Sequence, residues 1–172
     1  MRAIGTICVL LVMWANTAVA HDIDTGFYFR LSTQFRGPSM NLDVYNGGPK
    51  NNLTHLVPAA NVSGQYWRLI DAGNENYRFT TMFRGKNMCL DVFNGGARNN
   101  QVHLAPCANY SGQLWHLDPK GRWYKLSSQL RGAKFCLDIF NGGRDNNQPH
   151  LTNCANYSGQ FWLLKPTSKR VP

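Results

Sequence analysis

The chain has 172 residues, with 18 Lys and Arg against 9 Asp and Glu, for a formal charge of +9. That length suits one domain with no room for a second sizeable core. A single glutamate, Glu75, leaves little material for two-carboxylate catalysis, and scattered basic residues with no basic run or recognition-helix pattern argue against nucleic acid.

Residues 1–20 read as a secretory leader. Arg2 supplies the positive start, Ile4 to Trp14 the apolar stretch, and Ala18-Val19-Ala20 a small-x-small cut before His21. The apolar run is too short to span a bilayer, and no other stretch approaches spanning length, so no integral membrane segment is expected. Cys8 leaves with the leader, and the remainder, 21–172, is read as one domain.

From residue 27 the chain alternates apolar and polar residues at the strand period. Phe27-Tyr28-Phe29-Arg30-Leu31 is a first strand ending at an Arg-Gly turn. Leu42-Asp43-Val44 is a second, closed by Asn46-Gly47-Gly48, residues that tolerate positive φ. A third surrounds His55-Leu56, and a fourth is Gln65-Tyr66-Trp67 with its apolar continuation. The whole unit then returns. Ser63-Gly64-Gln65-Tyr66-Trp67 recurs as Ser111-Gly112-Gln113-Leu114-Trp115 and as Ser158-Gly159-Gln160-Phe161-Trp162, spacings of 48 and 47 residues. Leu90-Asp91-Val92 and Leu137-Asp138-Ile139 copy the second strand, and His103-Leu104 and His150-Leu151 the third. Helical periodicity is absent. Copies at about 27–74, 75–121 and 122–166 predict an all-β fold of three four-stranded units, as a barrel or sandwich.

The repeat also pairs the cysteines. Cys89 with Cys107 and Cys136 with Cys154 are each 18 apart at matching positions, while the first copy has Asn41 and Ala59 there. Two such bridges fit an exported protein. Each adds about 3 kcal/mol for a loop of this length, so the first copy is expected to be locally weakest.

Three Gln-x-Trp triplets, the Cys-Leu-Asp-Val and Cys-Leu-Asp-Ile segments, and the second Cys after His-Leu resemble the ricin B-type β-trefoil lectins, over roughly Phe27 to Leu164. The resemblance implies a pseudo-threefold, six-stranded barrel closed by three hairpins, with up to three shallow sugar sites. It also implies a scaffold role for Gln65, Trp67, Gln113, Trp115, Gln160 and Trp162, the tryptophans lying in the core.

Strand alternation sorts the remaining residues. Leu42 and Val44 share one face and Asp43 and Tyr45 the other. A carboxylate beside an exposed ring suits a sugar, since the oxygens accept from neighbouring hydroxyls and the ring covers the pyranose C–H face. The expected carbohydrate contacts are Asp43, Tyr45, Asn52 and His55, then Asp91, Phe93, Asn100 and His103, then Asp138, Phe140, Asn147 and His150. Where the family places a stacking ring this chain has Val57, Ala105 and Thr152, and Gly64, Gly112 and Gly159 stand where an asparagine often precedes the Gln. The ring is therefore expected from Tyr45, Phe93 and Phe140 or from loop residues Tyr110 and Tyr157. With Val62 at that loop position in the first copy, the second and third copies are favoured. Asn61-Val62-Ser63 and its two copies also match the N-glycosylation acceptor pattern.

No catalytic motif, cofactor or metal is expected. The leading reading is a secreted lectin whose partners are glycans or glycoconjugates, acidic ones included. The rival class is a protein-binding trefoil, such as an inhibitor or the binding subunit of a toxin.

Overall fold

A computed structural model describes residues 23–172; the leader expected over 1–20, its cut before His21, and Cys8 lie outside the described residues. The first copy folds as β1 (Phe27–Thr33), β2 (Met40–Val44), β3 (Thr54–Pro58) and β4 (Trp67–Asp71). The second gives β5 (Asn76–Thr81), β6 (Gly85–Val92), β7 (Val102–Pro106) and β8 (Trp115–Lys120). The third gives β9 (Trp123–Ser128), β10 (Phe135–Ile139), β11 (Pro149–Asn153) and β12 (Trp162–Arg170).

The first and fourth strands of each copy close a barrel in the order β4-β1-β12-β9-β8-β5, with β5 pairing back onto β4. The second and third strands form the hairpins β2–β3, β6–β7 and β10–β11. Their registers match: Leu42 faces Leu56, Leu90 faces Leu104, and Leu137 faces Leu151. Six barrel strands and three hairpins about one pseudo-threefold axis make this a β-trefoil. Closure removes the sheet edges that would otherwise invite pairing with other chains.

The sequence places Gln-x-Trp wholly in the fourth strand, but the structure starts each fourth strand at the Trp. Ser63–Gln65, Ser111–Gln113 and Ser158–Gln160 each wind a single 3-10 turn instead. The turn swings the Gln side chain inward, where it is buried and must find partners. Trp67, Trp115 and Trp162 are 0% exposed in the core. Their Nε1–H groups donate to the carbonyls of Leu42, Leu90 and Leu137 at 2.8, 2.9 and 2.8 Å. Each Trp thus packs the barrel and fastens it to the hairpin of its own copy.

The copies are joined to one another at the axis. Asn52, Asn100 and Asn147 take left-handed φ values of 67°, 70° and 68°, which an Asn side chain tolerates better than most. Their backbone carbonyls accept from Leu104 N, Leu151 N and Leu56 N, each at 2.8 Å. Arginines add a second set of joints: Arg84 to Asn51 Oδ1 (2.6 Å), Arg131 to Asn99 Oδ1 (2.6 Å) and Arg36 to Asn146 Oδ1 (2.8 Å).

Disulfides join Cys89 to Cys107 and Cys136 to Cys154, with Cα separations of 4.9 and 4.8 Å. The first hairpin keeps the same backbone closure without a bridge. Ala59 N donates to Ser39 O at 2.8 Å, as Cys107 N does to Asn87 O at 2.9 Å.

Candidate carbohydrate-binding grooves

The aspartates sit one residue before the end of the first strand of each hairpin, opposite His55, His103 and His150. Each carboxylate is held by two donors. Oδ1 accepts from the backbone N of the next residue, Val44, Val92 or Ile139, at 2.7 Å. Oδ2 accepts from Nε2 of Gln65, Gln113 or Gln160 at 3.2, 2.9 and 3.0 Å. The same Nε2 donates to Pro58 O, Pro106 O or Asn153 O at 3.0 Å. The Gln Oε1 accepts from Ala60 N, Ala108 N or Ala155 N. The glutamine is therefore fully paired. Its work is to hold the carboxylate in one position.

Gly64, Gly112 and Gly159 follow from that arrangement. A Cβ on any of them would overlap Oδ1 of Asp43, Asp91 or Asp138. The glycine is needed for close approach, not for a left-handed φ.

The aromatic residues beside the aspartates lie against the histidines. Tyr45 stacks on His55 with ring centroids 3.6 Å apart, and Phe93 on His103 and Phe140 on His150 at 3.8 Å. Lys50 Nζ lies 5.4 Å from the centre of the Tyr45 ring and Arg98 Cζ 5.9 Å from that of Phe93. Burial pushes all three imidazoles below the usual histidine value, with Asp43, Asp91 and Asp138 opposing.

In the second copy a groove of about 690 Å³ opens beside Asp91. Its polar walls are Asp91, Asn94, Asn109 and Gln129, and its apolar walls include Tyr110 and Leu130. Tyr110 is 63% exposed, and its counterpart Tyr157 in the third copy 65%. Gln129 N donates to Leu114 O and Leu130 N to Ser111 O, so the far wall comes from the next copy.

The structure thus divides the expected site residues. Asp91 lines the groove, while Phe93 and His103 form their own stack outside its lining, and Asn100 stands at the axial seam. In the first copy Asp43 is held by Gln65, Tyr45 stacks on His55 and Asn52 stands at the seam, and in the third Asp138 is held by Gln160, Phe140 stacks on His150 and Asn147 stands at the seam. Sequence reasoning did not select Asn94, Asn109, Gln129 or Leu130. Asn94 reads as a turn residue and Asn109 as a glycosylation acceptor, while Gln129 lies in a different repeat from Asp91. Among the described residues no cluster of three or more His, Cys, Asp or Glu could hold a metal ion.

A β-trefoil carrying a fixed carboxylate, amides and an exposed ring at one groove is a lectin-type architecture. The chain belongs to the ricin-type beta-trefoil lectin domain family, whose model matches residues 28–162. Among curated proteins no sequence relative matches. A designed 3-fold symmetric protein, ThreeFoil, is similar at 25% identity and a TM-score of 0.67, covering 80% of this chain and 97% of its own. The ricin B-like lectin of Macrolepiota procera, solved with lactose, is 13% identical with a TM-score of 0.65, covering 84% and 99%. A mosquitocidal holotoxin is 13% identical with a TM-score of 0.71, covering 85% of this chain but 18% of that one. The last two likenesses concern the fold alone.

Proposed function

We propose that the protein is a secreted lectin that binds glycans without covalent chemistry, with its best groove in the second copy and a related one in the third. The observation that carries this reading is the convergence of Asp91, Asn94, Asn109 and exposed Tyr110 on one groove. The carboxylate and amides would bond adjacent hydroxyls, and the Tyr110 ring would cover the apolar face of the pyranose. The first copy has Val62 in place of the tyrosine and offers no equivalent ring. Secretion is supported by the leader-like residues 1–20 and by two disulfides. A non-enzymatic role is supported by the pairing of each repeat aspartate with a glutamine, not with a second carboxylate.

A glycan array tests this, with lactose as the first soluble probe because the Macrolepiota lectin was solved with it. Tyr110→Ala and Asp91→Asn should each weaken binding at the second groove by about threefold to tenfold, because a stacking or hydrogen-bond contact is worth about 0.5–1.5 kcal/mol. Phe93→Ala should leave affinity nearly unchanged. Loss of binding in Phe93→Ala with Tyr110→Ala unaffected would reverse the assignment. The holotoxin likeness keeps one further role in view, that of the binding subunit of a larger assembly. Absence of glycan binding with capture of a protein partner would favour it.

A further inference from the structure

The hairpin loops of the three copies meet at a second depression of about 350 Å³, separate from the groove at Asp91. Equivalent loop positions build its walls, and here the copies stop matching. Lys50 and Arg98 share a position with Asp145, Gln101 and Gln148 share one with an apolar residue, and Arg144 has no charged counterpart in the other copies. The fold therefore gathers three cations around one carboxylate, at a place where three-way symmetry would otherwise give three copies of one residue.

That carboxylate is already engaged. Asp145 Oδ1 accepts from Gln148 Nε2 at 3.2 Å and Oδ2 from Gln101 Nε2 at 3.4 Å, while Arg144 Nε lies 3.7 Å from Oδ1. Both glutamines are more than nine-tenths buried. They fix Asp145 against one wall and leave the cations largely uncompensated. Arg98 uses Nη2 on a backbone carbonyl at 3.2 Å. Among the described residues Lys50 Nζ has no hydrogen-bond or ion-pair partner, only the Tyr45 ring at 5.4 Å. The Arg144 side chain is 89% exposed.

We infer that this axial depression binds a sulfate or phosphate group. Its volume is at the lower end for ligand sites, which suits a compact anion. Two guanidinium forks match tetrahedral oxyanions, and an ammonium supplies a third donor group. Three like charges held together repel one another, and an anion seated among them removes that repulsion. The group could arrive as free phosphate or on a sulfated glycan, and the test separates the two. The site is independent of the groove at Asp91.

The test is calorimetric titration of the full protein with inorganic phosphate and, separately, with a heparin-derived hexasaccharide. Wild type is compared with Lys50→Ala/Arg144→Ala, Asp145→Asn, and the control Lys120→Ala/Arg122→Ala, whose cations lie outside the depression. Loss of two close cationic contacts should weaken binding by about tenfold or more. Asp145→Asn should tighten it, since the one opposing charge is gone, and the control should change it by less than about twofold. Saturable phosphate binding assigns a free anion, and binding of the hexasaccharide alone assigns a sulfated glycan. Equal weakening in both double variants would mean diffuse surface charge and overturn the proposal. So would wild-type affinity in Lys50→Ala/Arg144→Ala, or no binding of either probe to the wild type. Neutral-glycan binding at the Asp91 groove, read in parallel, should stay at the wild-type level, so failure of either site is seen separately. Thermal midpoints confirm folding, and Asp145→Asn tests the charge argument even if the double variant is unstable.

Discussion

Gly112→Ala is the most direct test of how the aspartate is held. The new Cβ overlaps Asp91 Oδ1, so the carboxylate must move. Two bonds are then at stake, from Val92 N at 2.7 Å and from Gln113 Nε2 at 2.9 Å. Hydrogen bonds to a charged acceptor are worth about 1.5–3 kcal/mol each. Asp91 is only half-buried, so water replaces part of what is lost, and the structural cost is about 2 kcal/mol in total. Replacing Gly by Ala also restricts the unfolded chain, which returns about 0.4–1 kcal/mol. The net expectation is destabilisation by about 1–2 kcal/mol, or a fall in midpoint of roughly 2–8 °C for a chain of this size.

The decisive measurement is a double-mutant cycle in denaturant. In an Asp91→Ala background there is no carboxylate to displace and the nearest remaining atom is Val92 N at 3.3 Å, so most of the cost of Gly112→Ala should disappear. The same cost in both backgrounds would refute the overlap argument, because it would place the strain in the turn itself.

Trp115→Phe should cost about 2 kcal/mol or more, from lost volume and from leaving the Leu90 carbonyl without its donor, as read by chemical denaturation. Asn41→Cys/Ala59→Cys should form a third bridge, because the first hairpin already has the backbone closure of the bridged ones. The check is a mass lower by two hydrogens, with about 3 kcal/mol of added stability. Native-state hydrogen exchange should show β2–β3 opening before β6–β7 and β10–β11, and reduction of the disulfides should narrow that gap. The histidine stacks predict a pH dependence. With folded values depressed by burial, the unfolded chain takes up protons first as pH falls, so stability is complete above about pH 6.5 and declines below it. Denaturation midpoints should be lower at pH 5 than at pH 7.5, and changing His55, His103 and His150 together to Gln should flatten that slope.

Much of this was legible in the chain itself. The recurrence of Gln-x-Trp at near-constant spacing, with period-two alternation between the copies, determines twelve strands in three equivalent units. Burial follows from the same pattern: Leu42, Val44 and the three tryptophans lie inside because a strand offers only two faces. The disulfide partners are local to each copy and so follow from register. What only the tertiary structure decided are the meetings between copies and the competition for each ring. Phe93 satisfies every local rule for a stacking residue, yet His103, which faces Asp91 across the hairpin, stacks on its ring. Gln129 and Leu130 reach the groove at Asp91 because the barrel brings the third copy against the second. Lys50, Arg98 and Arg144 lie in three separate copies and share a wall only because the hairpins converge on an axis. Periodicity is a property of one strand and its neighbours, whereas the grooves and the axial depression arise from closing the barrel.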